Sequence, residues 1–304
     1  MNLRMRGVSL VELMIAITLG LLLLTLLLRI LVDSREATTV QQALLLSEGE
    51  GAVALDLITH DLRSAGNWGC QPHLVTTDDL PVSSAWHNYS RAVEAWPAPH
   101  TPTELLPGTL ELLPDSDVLA VRLASQTQWP TLAVNADTVI LPLEQRENRR
   151  CNGEPRFNGL CPGDHVLISH CGGGRIATIT ETRTTPMNNN ETLLLTLDPS
   201  PPSQQIDTRV RPVHTRVWFM AERRDGSRGL FMREDAGPSR EVAHGEHRLQ
   251  SRFAAPGTGF SAPAEVQDWP LISAVWLELH WYNEGGPETG RLLQSSVAIR
   301  NRLP

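Results

Sequence analysis

The sequence contains no lysine; all 26 basic residues are arginine, and they are scattered among 34 acidic residues for a net charge of −8. No basic tract is present. A nucleic-acid-binding module displaces phosphate counterions with clustered cations, so the composition argues against that class. The four cysteines form no close C-x2-C pair, which argues against a zinc ribbon. No G-x-S-x-G elbow is present to carry a nucleophile. Cys171-Gly172-Gly173-Gly174 lacks the following Gly-Lys-Ser/Thr of a phosphate loop and reads as a turn beside a disulfide. His244 and His247 are three apart but straddle Gly245 and form no HExxH pattern, so they read as a solvated turn or strand end. No calcium loop is found. Asp115, Asp117 and Asp164 precede β-type runs, where carboxylates serve as turn formers. The expectation is no enzyme activity, no cofactor and no metal.

What is present has an export-like order. Arg4 and Arg6 lie in the first seven residues, and Val8 to Leu28 is mainly apolar and carries no charge apart from Glu12. As a helix this stretch would be about 31 Å long, close to the roughly 30 Å of a bilayer core. A carboxylate within it costs a few kcal/mol or more unless it is paired. The leader arginines favour a cytoplasmic N-terminus. No small-residue cleavage site follows the apolar run, so it reads as retained. Cys70, Cys151, Cys161 and Cys171 all lie beyond it, and an even number there implies two disulfides in an oxidising compartment. Three pairings are possible and spacing does not choose among them. The working expectation is Cys151–Cys161 closing a short Gly/Pro-containing loop, with Cys70–Cys171 tying a helix exit to a sheet.

From Asp33 to Ser64, Val40, Leu44, Gly51, Leu55, Ile58 and Leu62 fall on one helical face. Glu48, Glu50, Asp56, Asp61 and Arg63 occupy other positions. One helix is therefore expected from about Val8 to Ser64. After Gly66 the composition turns to Pro, Gly, Asn and Ser with short β-type runs. The expected strands are Val118–Leu123, Thr138–Leu141, His165–His170, Ile176–Thr180, Thr192–Leu197, Thr215–Ala221, Gly229–Arg233, Ala274–Tyr282 and Leu292–Arg300. Asp225-Gly226 marks a hairpin turn. Pro97–Pro107 and Ser200–Ser203 read as surface loops. Trp68 and Trp269 read as core anchors, and Trp86 and Trp96 as candidates for adhesive contacts.

Gly7, the apolar Val8 and Glu12 before an apolar run resemble the prepilin peptidase motif of type IV prepilins, with Val8 where Phe is usual. The resemblance implies cleavage between Gly7 and Val8, methylation of the Val8 amine, and pairing of Glu12 with a neighbouring subunit's N-terminal amine. Further segments resemble the PilW minor-pilin family. They are Asp61 to Gly66 with Gly69-Cys70, Gly163 to Ser169 with Cys171, Asp268-Trp269, and Val297 to Arg302. The implied fold class is α+β: a long N-terminal transmembrane and amphipathic helix packed on a disulfide-stapled antiparallel β-sheet head. The implied divisions are a leader over 1–7, a transmembrane half-helix over 8–32, an amphipathic half over 33–66 and a β-rich head over 67–304. The implied role is a minor pilin in type IV pilus initiation or the tip complex, serving adhesion or twitching motility. Its expected partners are other minor pilins, the major pilin, prepilin peptidase and the inner membrane, with no nucleic acid. The expected location is single-pass inner membrane with a periplasmic head, then the pilus. Two other readings stand beside it: a type II secretion minor pseudopilin, and a membrane-tethered periplasmic enzyme or receptor that does not polymerise.

Overall fold

The computed structural model describes residues 10, 14, 19–22, 24–25, 29, 50–70, 75–76, 84–106, 108–151, 153–188, 190–203, 205–283 and 286–299. The chain divides into two units, Met1–Gly49 and Glu50–Pro304. In the first unit the described residues are helical, and Thr25 Oγ1 donates to the Leu22 carbonyl at 2.8 Å. Gly7, Val8 and Glu12 lie outside the described residues.

Two expectations are corrected here. A bilayer span needs about 20 consecutive apolar helical residues. Among the described residues no helix is long and apolar enough to cross a membrane. The single-pass inner-membrane placement is therefore not what this structure supports. Nor is a long helix the organising element of the fold: the described chain is mostly antiparallel sheet with only short helical pieces. The physical reason lies in the composition after Gly66, where β-type runs and turn residues alternate and most backbone hydrogen bonds run between strands.

Among the described residues the strands form a 13-stranded sheet, a three-stranded sheet and a two-stranded hairpin. The large sheet is organised by the strand Arg209–Glu222. Its first part pairs antiparallel with His165–His170, Val166 opposite Pro212. Its later part pairs with Asp117–Ala124 on one side, Val217 opposite Ala120, and with Arg228–Glu234 on the other. The Asp225-Gly226 turn closes the second pairing, with Gly226 at φ +83° and Arg223 N–H donating to Ser227 O at 2.8 Å.

The pleat sends alternate residues to opposite faces. Leu119, Val121, Leu123, Trp218 and Met220 join one core, whereas Ala120, Val217 and Phe219 join another. The first core is closed by the three-stranded sheet (Glu246–Ala254, Ala274–Asn283, Gly286–Ala298) through Leu249, Phe253, Val275 and Leu277. It is also closed by helix 50–64, which buries Ala54, Leu55, Ile58 and Leu62 at three- and four-residue spacings. That helix ends at Gly66, whose φ of +64° is the left-handed cap conformation and whose N–H donates to Arg122 O at 3.0 Å.

Asp61 departs from the reading of that helix. It lies on the buried face, 2% exposed, three residues beyond Ile58. Its carboxylate accepts from Arg216 Nη1 at 2.7 Å and Trp218 Nε1 at 3.1 Å. Trp68 and Trp269 are buried, as is Trp86, whose indole donates to the Glu104 carbonyl at 3.1 Å; Trp86 therefore offers no exposed adhesive ring. Cys70 is joined to Cys171 and Cys151 to Cys161, with Cα separations of 4.9 and 5.5 Å.

Candidate functional site

A cleft of about 560 Å³ opens where the central strand passes from one pairing partner to the next. Its walls are gathered from six places in the chain: the turn at 87–89, the segment after Asp117–Ala124, the disulfide loop before Cys161, the start of His165–His170, residues 212–214 of the central strand, and the turn after Arg228–Glu234. The cleft thus lies between two antiparallel pairings, where neither neighbouring strand covers the central one completely.

The turn carrying His87 and Tyr89 is anchored from beneath. Arg122 is fully buried on Asp117–Ala124, and its guanidinium donates to the carbonyls of Arg91 (2.8 Å) and Ala85 (2.5 Å), on either side of the turn. Glu94 pairs with Arg122 at 3.0 Å and also takes a bond from Arg91. Thr215 Oγ1 donates to the Trp86 carbonyl at 2.5 Å. A buried arginine unable to shed its proton needs all of these acceptors. Holding the turn in place is the structural consequence.

That turn brings the His87 ring onto the His165 ring, with centroids 4.2 Å apart and planes 28° from parallel. Tyr89 tilts against His165 at 5.6 Å and meets Trp68 edge-on at 6.1 Å. Burial, reinforced by the neighbouring His87, depresses the His165 pKa to about 4. Burial also lowers His87, against the pull of Asp235 and Glu104. Both imidazoles are accordingly neutral at pH 7. Burial raises the phenol of Tyr89 as well.

The third histidine differs. His214 Nδ1 meets Asp235 Oδ2 at 2.8 Å, while Asp235 Oδ1 accepts the Thr215 N–H at 2.8 Å. Burial alone would lower His214, but the hydrogen bond and charge of Asp235 outweigh it, and the pKa is raised. Asp235 sits at φ +45°, a left-handed conformation available at modest cost to Asp in a turn.

The disulfide loop supplies the opposite wall. Asn158, at φ +51°, accepts the N–H groups of Glu144 (2.9 Å) and Gln145 (3.0 Å) and donates to Pro142 O at 2.8 Å. Arg156 donates to Gly159 O at 2.7 Å and lies 3.5 Å from Glu147, and its buried Nε has no hydrogen-bond partner. Asp164 Oδ2 accepts the Cys161 N–H at 2.8 Å, the turn-forming role read from the sequence, and burial raises its pKa.

The His214–Asp235 pair resembles the base and orienting group of a nucleophilic site, but among the described residues no hydroxyl or thiol is hydrogen-bonded to His214. Ser125 Oγ lies in the cleft and accepts the Thr127 N–H at 3.1 Å; it makes no bond to His214. Among the described residues no group of three or more His, Cys, Asp or Glu side chains could hold a metal ion.

Of the residues singled out from the sequence, Cys151, Cys161 and Asp164 come to this cleft or its wall, whereas Cys70–Cys171 ties residue 70 to the end of His165–His170. His244 ends the strand Ser239–His244, its Nδ1 2.9 Å from Glu241. His87, Tyr89, His165, His214 and Asp235 were missed. Asn158-Gly159 was the one available signal, as a turn dipeptide next to a cysteine; the histidines had no shared spacing to find. No protein-family model, curated protein or solved structure matches this chain.

Proposed function

We propose that this chain is a minor-pilin-like subunit acting in type IV pilus initiation or in a tip complex, with other minor pilins and the major pilin as partners. The observation that carries the reading is the N-terminal constellation: Arg4 and Arg6, then Gly7-Val8, then Glu12 in an apolar run. Prepilin peptidase would cleave between Gly7 and Val8, and Glu12 would pair with the Val8 amine of an adjacent subunit. Two features of the second unit are compatible with this role. A disulfide-stapled, mainly antiparallel body can serve as the folded head of an assembly subunit, and helix 50–64 leads into it with one face buried on the sheet.

N-terminal sequencing of the mature protein is the direct test. A chain beginning at methylated Val8 is the expected result, and one retaining Met1 through Gly7 sinks the proposal. Glu12→Ala is expected to abolish co-purification with other minor pilins while leaving the cleavage intact.

A further inference from the structure

From the cleft we infer a binding site for a neutral polyhydroxylated ligand, a mono- or disaccharide, recognised by His87, His165, Asp164 and Arg156. This goes beyond the pilin-like reading and does not rest on it.

The first observation is that polar side chains gather on facing walls of one cleft. The stacked His87 and His165 rings, both half-buried, line one wall, and their ring nitrogens make no hydrogen bond to other described residues. Arg156 lines the opposite wall, with its guanidinium donating to Gly159 O. Imidazole nitrogens that are not used within the fold keep their hydrogen-bonding capacity for a molecule in the cleft.

The second observation concerns the kind of group that would complete them. A neutral imidazole offers one N–H donor and one acceptor nitrogen. A hydroxyl is also donor and acceptor together. Two stacked neutral imidazoles therefore match a row of hydroxyls, and match neither a carboxylate nor an ammonium group as well. Asp164 adds an acceptor and Arg156 a donor. The charges select in the same direction. Asp164, Glu234 and Asp235 repel an anion, while the Arg156 guanidinium repels a cation beside it. A neutral ligand meets neither penalty.

Size and rigidity agree. The volume of about 560 Å³ lies within the roughly 300–1,000 Å³ common for small-molecule sites. The walls are set before any ligand arrives: the His87 turn by Arg122 and Thr215, and the Arg156 wall by Cys151–Cys161 and Asn158. Such preorganisation lowers the entropy cost of binding.

The test is a titration of the full chain with glucose, galactose, N-acetylglucosamine and maltose, followed through the imidazole ¹H–¹⁵N signals and by saturation-transfer difference. At least one sugar is expected to shift the His87 and His165 signals saturably. In Asp164→Asn and His165→Phe that affinity is expected to fall about tenfold or more, with the thermal transition retained. Should His165→Phe fail to fold, His87→Gln on the surface turn makes the same comparison. The inference is overturned if no sugar gives saturable shifts. It is equally overturned if affinity is unchanged in the folded variants, or if acetate or inorganic phosphate binds there while the sugars do not.

Discussion

His165 and Asp61 are ordinary residues whose behaviour is reset by what surrounds them. Burial and the adjoining His87 ring depress His165 to about 4, below the usual unfolded value near 6.5. The unfolded chain then binds the proton more tightly than the folded one, so the stability held by neutral His165 is fully present above about pH 6.5 and is lost as pH falls toward 4. Urea unfolding is expected to weaken by roughly 2–3 kcal/mol over that window, and His165→Phe to flatten the slope relative to the parent protein. His214 has the opposite sign: its folded pKa is raised, so its contribution is present below about 6.5 and fades as pH rises through the folded value. Arg122 is a second case. Arg122→Met would leave Glu94 buried with only Arg91 as cation, and would release the carbonyls of Ala85 and Arg91. Chemical denaturation should show a loss of about 3 kcal/mol, and the His87 imidazole signal should move as the stack loosens.

At the scale of elements, helix 50–64 and the paired strands show two kinds of dependence on neighbours. Ile58 is fully buried between helix and sheet. Ile58→Ala should cost about 2–5 kcal/mol through transfer and cavity terms, whereas His60→Ala, on the outward face, should stay within about 0.5 kcal/mol. Thermal melts of the two variants check the assignment of faces. The helix was legible because Leu55, Ile58 and Leu62 repeat at its period, and strands such as His165–His170 because apolar runs end in turn residues. Asp61 was misread for a local reason: a carboxylate on a helix usually faces water, and the donors that retain this one, Arg216 and Trp218, are some 155 residues away in sequence. Strands such as Val93–Pro97, Ser239–His244 and Glu246–Ala254 were not legible. Proline or charged residues interrupt their patterns, and their pairing partners supply the hydrogen bonds that their own propensities would not secure.

Over the whole molecule the two disulfides differ in reach. Cys70–Cys171 spans 101 residues and Cys151–Cys161 only 10. In the chain-entropy picture these correspond to about 4–5 and just under 3 kcal/mol. Replacing Cys70 and Cys171 by Ser should therefore lower global stability more than replacing Cys151 and Cys161. Replacing Cys151 and Cys161 should lower the melting temperature by a smaller amount and also loosen the cleft wall around Arg156 and Asn158, visible as faster amide exchange there. The sequence by itself determined the strand-rich character beyond Gly66, the Asp225-Gly226 turn, the even cysteine set and the motif at Gly7, Val8 and Glu12, because each is a matter of local period or spacing. Tertiary structure alone decided which cysteines meet, that Asp61 faces inward, that the described chain is organised by sheet and not by one long helix, and that His87, His165 and His214 share a cleft. Those outcomes depend on strand register between distant segments, and a period of two or 3.6 residues carries no information about which distant segment will be the partner.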